Sequence, residues 1–82
     1  MCRNITTLRG LDPRATPDEI EAAARQYVRK ISGVQSVSAT TAEAFERAVR
    51  IVGDATTQLL AELPPRKQRP PTLPPLRRIK LR

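Results

Sequence analysis

The sequence predicts a small all-α protein: an antiparallel helical hairpin, braced by an N-terminal segment and followed by an extended Pro/Arg-rich tail. Apolar residues recur every three or four positions in two separate stretches, and each stretch opens with residues typical of a helix start. Beyond residue 63, three proline pairs exclude a continuous helix as far as residue 75. We therefore expect a helical body over residues 1–63 and a basic tail, extended or disordered, over residues 64–82.

The first helix is predicted over residues 17–32. Thr16 can cap its N-terminus, Pro17 suits the first helical position, and Glu19 completes the capping-box spacing. Gly33 suits the left-handed conformation with which many helices end. One apolar stripe has helical spacing and is expected to face the core: Ile20, Ala24, Tyr27, Val28 and Ile31.

The second helix is predicted over residues 41–63, with a capping-box start at Thr40 or Thr41. Its apolar stripe contains Phe45, Val49, Val52, Thr56, Leu59 and Leu63, widened by Ala48 and Leu60. Gly53 lies in the helix interior, where glycine costs about 1 kcal/mol relative to alanine, and we interpret it as a close approach of another backbone. Ile51 falls outside the stripe, which indicates contact with the N-terminal segment or with a partner subunit.

The N-terminal segment carries Ile5, Leu8 and Leu11, whose spacing fits either a short third helix or an extended strap. Burying the few apolar side chains of such a short body barely offsets the conformational entropy lost on folding. A homodimer or a bound partner would relieve this marginal balance.

Charge is divided unevenly between body and tail. The sequence has 15 Lys or Arg and 8 Asp or Glu, which gives a formal net charge of +7. Residues 1–63 contain all eight acids and eight of the bases, so the body is neutral. The tail has no acid and seven bases: Arg66, Lys67, Arg69, Arg77, Arg78, Lys80 and Arg82.

The composition excludes several classes of function. No His is present and Cys2 is the only Cys, which excludes nearly every structural zinc site, a Cys–His nucleophile pair and an intrachain disulfide. No apolar run is long enough for a membrane span and no signal peptide is evident, so we expect a cytoplasmic protein. We also expect a non-enzymatic protein with no cofactor, no bound metal and no small-molecule substrate.

The tail has the strongest claim to a function. Seven cations on an acid-free arm would bind the phosphates of RNA, DNA or the ribosome, with steep salt dependence and little sequence preference. The seven tail bases are the phosphate contacts in this leading hypothesis. Other interpretations stay open: a PxxP ligand at residues 71–74, a membrane-surface or strand-addition segment at residues 76–82, and a disordered tail without a partner.

Two hypotheses place the function in the body instead. In the first, the protein is a helical adaptor or a homodimer whose interface includes Ile51, Gly53 and Leu60, and the tail is passive. In the second, Cys2 is a reactive thiol, activated by Arg3 and by the α-ammonium group that removal of Met1 would leave beside it. At each of these positions the alternative is a residue without a functional role, whose side chain is either solvated or packed in the core.

Several runs of residues resemble one known family. Residues 1–5 (MCRNI), 26–33 (QYVRKISG) and 44–49 (AFERAV) are similar to an uncharacterised bacterial family catalogued as domain of unknown function 2277. The resemblance covers about residues 1–63 and implies a small helical cytoplasmic protein without an assigned activity. The loop between the helices departs from the family, which usually has Lys-Pro-Ser and an Asn where Ser36-Val37-Ser38 and Thr41 stand here.

Overall fold

The computed structural model describes residues 5–66 and 68–80, except for the side chains of residues 79 and 80. Three helices follow one another along the chain: α1 (Pro17–Ser32), α2 (Ala42–Glu62) and the short α3 (Pro75–Lys80). α1 and α2 pack against each other as an antiparallel hairpin, and the described residues contain no strand. The predicted all-α hairpin is confirmed, with α1 at its predicted bounds and α2 one residue shorter at each end.

Both ends of α1 are set by local side chains. The Thr16 hydroxyl accepts a hydrogen bond from the Glu19 backbone N–H at 3.2 Å, and the Glu19 carboxylate accepts one from the Thr16 N–H at 2.9 Å. At the other end Gly33 adopts a φ of +74°, and its N–H donates to the Arg29 carbonyl at 2.9 Å. The predicted capping box and glycine cap of α1 are therefore confirmed.

The start of α2 differs from the prediction. Thr41 precedes the helix but its side chain makes no capping hydrogen bond. Its hydroxyl instead accepts from the Ser38 N–H at 2.9 Å and donates to the Ser38 carbonyl at 3.3 Å. The capping box predicted at Thr40 or Thr41 is absent because the preceding loop uses this hydroxyl.

The core consists of two apolar clusters. The first lies between α1 and α2 and contains Ala24, Val28, Phe45 and Val49, with Val34, Ala48 and Val52 packed against it. The second lies at the end of the hairpin where α1 begins and α2 ends, and contains Leu8, Leu11 and Ile20. Ala15, Leu60 and Leu73 pack against this second cluster. The N-terminal segment and the tail thus share one small core with the hairpin.

Several predicted core residues lie at the surface. The exposed fraction is 45 % for Tyr27, 66 % for Ile31 and 54 % for Leu59, so the expected burial of Tyr27 is wrong. A hairpin of two helices buries only the strip of each helix that faces its neighbour, and these side chains fall at the side of that strip. The close approach of another backbone that we expect at Gly53 is absent, because no atom of a neighbouring described element lies within 4 Å of a Cβ built there.

The two segments outside the hairpin are largely irregular. Residues 5–16 contain neither helix nor strand, so the N-terminal segment is a strap rather than a third helix. Where the sequence indicates an extended or disordered arm, residues 64–66 and 68–74 are irregular and α3 follows at Pro75. In the described part of the chain, no helix is long and apolar enough to cross a membrane.

Candidate functional site

The tail lies alongside the N-terminal segment and runs in the same direction. The guanidinium group of Arg9 donates two hydrogen bonds, of 2.7 and 2.9 Å, to the carbonyl oxygen of Pro64. Farther along both segments, Arg69 donates to the Asp12 carboxylate at 3.1 Å. From Arg9 to Asp12 along the strap, the contacting residue of the tail moves from Pro64 to Arg69. The two segments are therefore parallel.

Gly10 permits a close approach between these two segments. It adopts a φ of +94°, a backbone conformation that residues with a side chain rarely adopt. A Cβ built on Gly10 would lie 3.0 Å from Cβ of Arg66 and 3.1 Å from the backbone oxygen of Gln68. The fit of the tail against the strap therefore depends on the absence of a side chain here.

Arg77 forms a buried ion pair with the residue that caps α1. Its Nη2 and Nε atoms donate to the two carboxylate oxygens of Glu19 at 2.8 and 3.0 Å. The exposed fractions of the two side chains are 12 % and 5 %. Arg77 also donates to the carbonyl oxygens of Pro13 at 2.7 Å and Arg14 at 3.3 Å. One carboxylate thus caps the helix and holds the tail against it.

Apolar contacts accompany this ion pair. Leu73 packs against the cluster of Leu8, Leu11 and Ile20. Pro70 and Pro74, on either side of Leu73, are buried. Between residues 64 and 77 the tail is therefore an integral part of the fold, attached by side chains at several points.

This attachment changes which of the predicted phosphate contacts are accessible. Arg77 is occupied inside the fold and is removed from the predicted set, because its donors already face Glu19 and backbone carbonyls. Arg69 keeps a side chain that is 74 % exposed although it pairs with Asp12. Arg66 and Arg78 are exposed.

Four sequence-predicted positions lie outside the described residues or side chains. Lys67 and Arg82 of the predicted phosphate contacts belong to this group, as does the predicted reactive thiol of Cys2. The backbone of Lys80 lies in α3, but its side chain is not described.

The fold adds two arginines to the set. The contacts between strap and tail bring Arg9 and Arg14 to the tail cations, and the body's neutral charge gave no reason to single them out. The signal in the sequence is that residues 5–16 contain a single acid, Asp12. We call the resulting surface the basic end, and it consists of Arg9, Arg14, Arg66, Arg69 and Arg78.

The three residues of the predicted protein interface do not form one surface. Ile51 is 60 % exposed, whereas Leu60 packs against the second apolar cluster. Gly53 lines a shallow groove of about 420 Å³ between α1 and α2, together with Arg25 and Glu46. Ile51 and Gly53 are separated by about 200° around α2, which places them on different sides of the hairpin.

The groove is bridged by an ion pair between the helices. Arg25 donates two hydrogen bonds of 2.8 Å to the Glu46 carboxylate and one of 3.1 Å to Glu21, and its guanidinium lies 5.7 Å from the centre of the Phe45 ring. Hydrogen bonds from Arg25 lower the pKa of Glu46, and those to Glu46 raise the pKa of Arg25. The ion pair therefore joins α1 to α2. Among the described residues there is no acidic or thiol cluster suited to a metal ion.

A comparison with known families identifies the chain as a member of one of them. The family model described as Uncharacterized conserved protein (DUF2277) matches residues 1–82, so the chain belongs to that family. The match extends beyond the expected residues 1–63 and includes the tail, in agreement with the packing of the tail on the body. No curated protein and no solved structure matches the chain.

Proposed function

We propose that this DUF2277 protein is a non-enzymatic accessory protein of the bacterial cytoplasm that binds RNA or DNA, the ribosome included, through its basic end. The contacts are charge-assisted hydrogen bonds from arginines to phosphate oxygens, which carry no base sequence preference. Lys67, Lys80 and Arg82 of the tail extend the same positive charge in the sequence.

One observation carries the proposal: strap and tail run side by side, so arginines from two distant parts of the chain lie at one end of the molecule. Four acids lie near this end: Asp12 pairs with Arg69, Glu19 pairs with Arg77, and Asp18 and Glu62 stand at the adjoining ends of α1 and α2. Six described arginines outnumber them: Arg9, Arg14, Arg66, Arg69, Arg77 and Arg78. Positive charge therefore remains in excess at this end. Placing it against a phosphate backbone releases counterions, which favours binding at low salt.

The attachment of the tail makes the basic end a fixed surface. Arg77 and Leu73 hold the tail to the body, so its exposed arginines lose less conformational freedom on binding than those of a flexible arm. The same attachment shows that deleting residues 64–82 is a poor test, because it also removes part of the second apolar cluster and leaves Glu19 unpaired.

The test therefore changes charge without removing core contacts. In the triple variant, Arg66→Gln, Arg69→Gln and Arg78→Gln neutralise three exposed cations of the basic end. A matched control neutralises three exposed cations elsewhere on the hairpin, with Arg29→Gln, Arg47→Gln and Arg50→Gln. Both variants have the same net charge, so any difference in binding reports where the cations lie.

Binding is measured by fluorescence anisotropy with a duplex DNA and with an RNA hairpin, between about 50 and 200 mM salt. We expect the slope of log K against log salt for the duplex to fall in magnitude by about 3 in the basic-end variant, and to change little in the control. Circular dichroism checks that both variants remain helical. Equal losses in the two variants, or no binding by the unmodified protein at the lowest salt, would refute the proposal.

A further inference from the structure

The side of the hairpin opposite the Arg25–Glu46 bridge carries several apolar side chains. We call it the back face, and it comprises Tyr27, Ile31, Ala44, Ile51, Ala55 and Leu59. At about 100° per residue, the four α2 members lie within about 80° of one another. On α1, Tyr27 lies about 160° from Arg25 around the helix. Both helices therefore turn these residues away from the bridge.

Four large apolar side chains of the back face are exposed to solvent. The exposed fractions are 45 % for Tyr27, 66 % for Ile31, 60 % for Ile51 and 54 % for Leu59. Single exposed apolar residues are ordinary on protein surfaces, but several on one side of a hairpin indicate an interaction surface. Alanines between them leave room for another helix to approach.

The chain exposes more surface than a compact monomer of the same mass. The molecule measures 43 × 31 × 18 Å, so the hairpin is a single layer of helices. Its accessible surface is 6282 Å², whereas a compact monomer of its 9.1 kDa mass exposes about 4,900 Å². The excess belongs to the chain as a whole, irregular strap and tail included, and it is larger than the roughly 800 Å² that each partner buries in a standard interface.

We propose that the back face is covered by a second copy of this chain, related by a two-fold axis that passes near Ile51. In this homodimer the two α2 helices are antiparallel, and Ile51 of each copy contacts its counterpart. Because a two-fold axis pairs the same patch with itself, the back face needs no partner of different chemistry.

The side chains along α2 are complementary in size under this symmetry. Leu59 lies eight residues after Ile51, and Ala44 lies seven residues before it. An antiparallel copy therefore brings Leu59 against Ala44 of the second copy, so that a large side chain meets a small one at both ends. Tyr27 and Ile31 flank that contact, because α1 near its C-terminus packs beside the start of α2.

A charge pair fits the same register. Glu62, on the same side of α2 as the back face, would lie level with the last turn of α1 in the second copy. Lys30 stands in that turn, at the outer edge of the back face, and is exposed. The two-fold axis forms this Lys30–Glu62 contact twice. It also places the two basic ends at opposite ends of the dimer.

The first test is the mass of the full-length protein by sedimentation equilibrium. We expect a species of twice the 9.1 kDa chain. Ile51→Glu would place two carboxylates at the axis and weaken association by about a hundredfold or more. Thr57→Glu adds the same charge to an exposed position on the groove side of α2, about 120° around the helix from Ile51, and should leave the dimer intact. A protein that is monomeric at every concentration, or a dimer that Ile51→Glu does not weaken, would overturn the proposal.

The second test addresses the register. Lys30→Glu and Glu62→Lys should each weaken the dimer, because each places like charges across the interface, and the double variant should restore it. Restoration distinguishes a direct contact from a loss of helix stability, which the double variant would not repair. Failure to restore association would overturn the antiparallel arrangement.

Discussion

The hairpin and the basic end are held together by different kinds of contact. Between α1 and α2, Ala24, Val28, Phe45 and Val49 form an apolar cluster, and each helix contributes side chains at helical spacing. Where the tail lies against the strap and α1, polar contacts from Arg9, Arg69 and Arg77 join positions 55 to 64 residues apart, beside the apolar contact of Leu73. A repeated apolar pattern thus produces the hairpin, whereas individual polar pairs orient the tail.

The two regions also differ in what their ion pairs contribute. The Arg25–Glu46 bridge of the hairpin is partly exposed, with side chains 26 % and 42 % accessible. The Arg77–Glu19 pair, which holds the tail that carries the basic end, is almost fully buried. Solvent weakens the first pair, while loss of a partner in the second would leave a charge in a site that water does not reach. The basic end should therefore be the more sensitive to a single polar substitution.

The largest effect is expected for Arg77→Gln, which leaves the buried Glu19 carboxylate without its cation. We expect the free energy of unfolding to fall by about 3–5 kcal/mol, a large part of the stability of a small domain. Chemical denaturation measures this loss. Amide hydrogen exchange should accelerate more in residues 64–80 than in α1 and α2, because the ion pair attaches the tail.

The neighbouring substitution Arg78→Gln provides the control. Arg78 is exposed, so its loss should change stability by less than about 0.5 kcal/mol. If the two variants unfolded at the same denaturant concentration, the Glu19–Arg77 pair would not be what holds the tail.

An intermediate effect is expected for Val49→Ala in the hairpin core. Val49 is 4 % exposed, and removing two methyl groups there should cost about 2 kcal/mol. Val37→Ala is the matched control in the loop, where the side chain is 39 % exposed. Thermal melts followed by circular dichroism compare the two. Equal melting temperatures would contradict the assignment of Val49 to the core.

The smallest effect is expected for Glu46→Gln, and it should depend on pH. Hydrogen bonding from Arg25 lowers the pKa of Glu46 in the folded protein, so the ionised carboxylate stabilises the fold at neutral pH. This contribution is lost as the pH falls below the unfolded value of about 4.3 and through the lowered folded value.

The stability of the unmodified protein should therefore exceed that of Glu46→Gln at neutral pH and converge on it in acid. Glu43→Gln, at a side chain 93 % exposed, is the control for a simple loss of charge. A stability difference between the unmodified protein and Glu46→Gln that stayed constant over this pH range would argue against the Arg25–Glu46 bridge.

Local sequence signals were sufficient to predict an interaction where its two partners are close together in the chain. The Thr16–Glu19 capping box and the Gly33 cap lie within the predicted spacing and form as expected. Tyr27 shows the limit of periodicity: a stripe of helical spacing indicates an apolar side, but the neighbouring elements decide how much of that side is covered.

Long-range pairs could not be inferred in this way. Arg77 and Arg78 are identical residues next to each other, yet one is buried against Glu19 and the other is exposed. No property of the surrounding sequence distinguishes them. The same holds for the interface hypothesis, in which Ile51, Gly53 and Leu60 occupy three different environments.

The sequence by itself determined the all-α class, the bounds of α1 and α2 within a residue, and the accumulation of positive charge in the tail. Those properties follow from spacing, capping and proline geometry, which act over a few residues. Only the tertiary structure decided that the tail lies along the strap, that Arg77 is buried and that the back face is exposed. These three properties depend on contacts between side chains that are 55 or more residues apart in the sequence. Several similar side chains could form such contacts, and the packing of the whole fold determines which of them do.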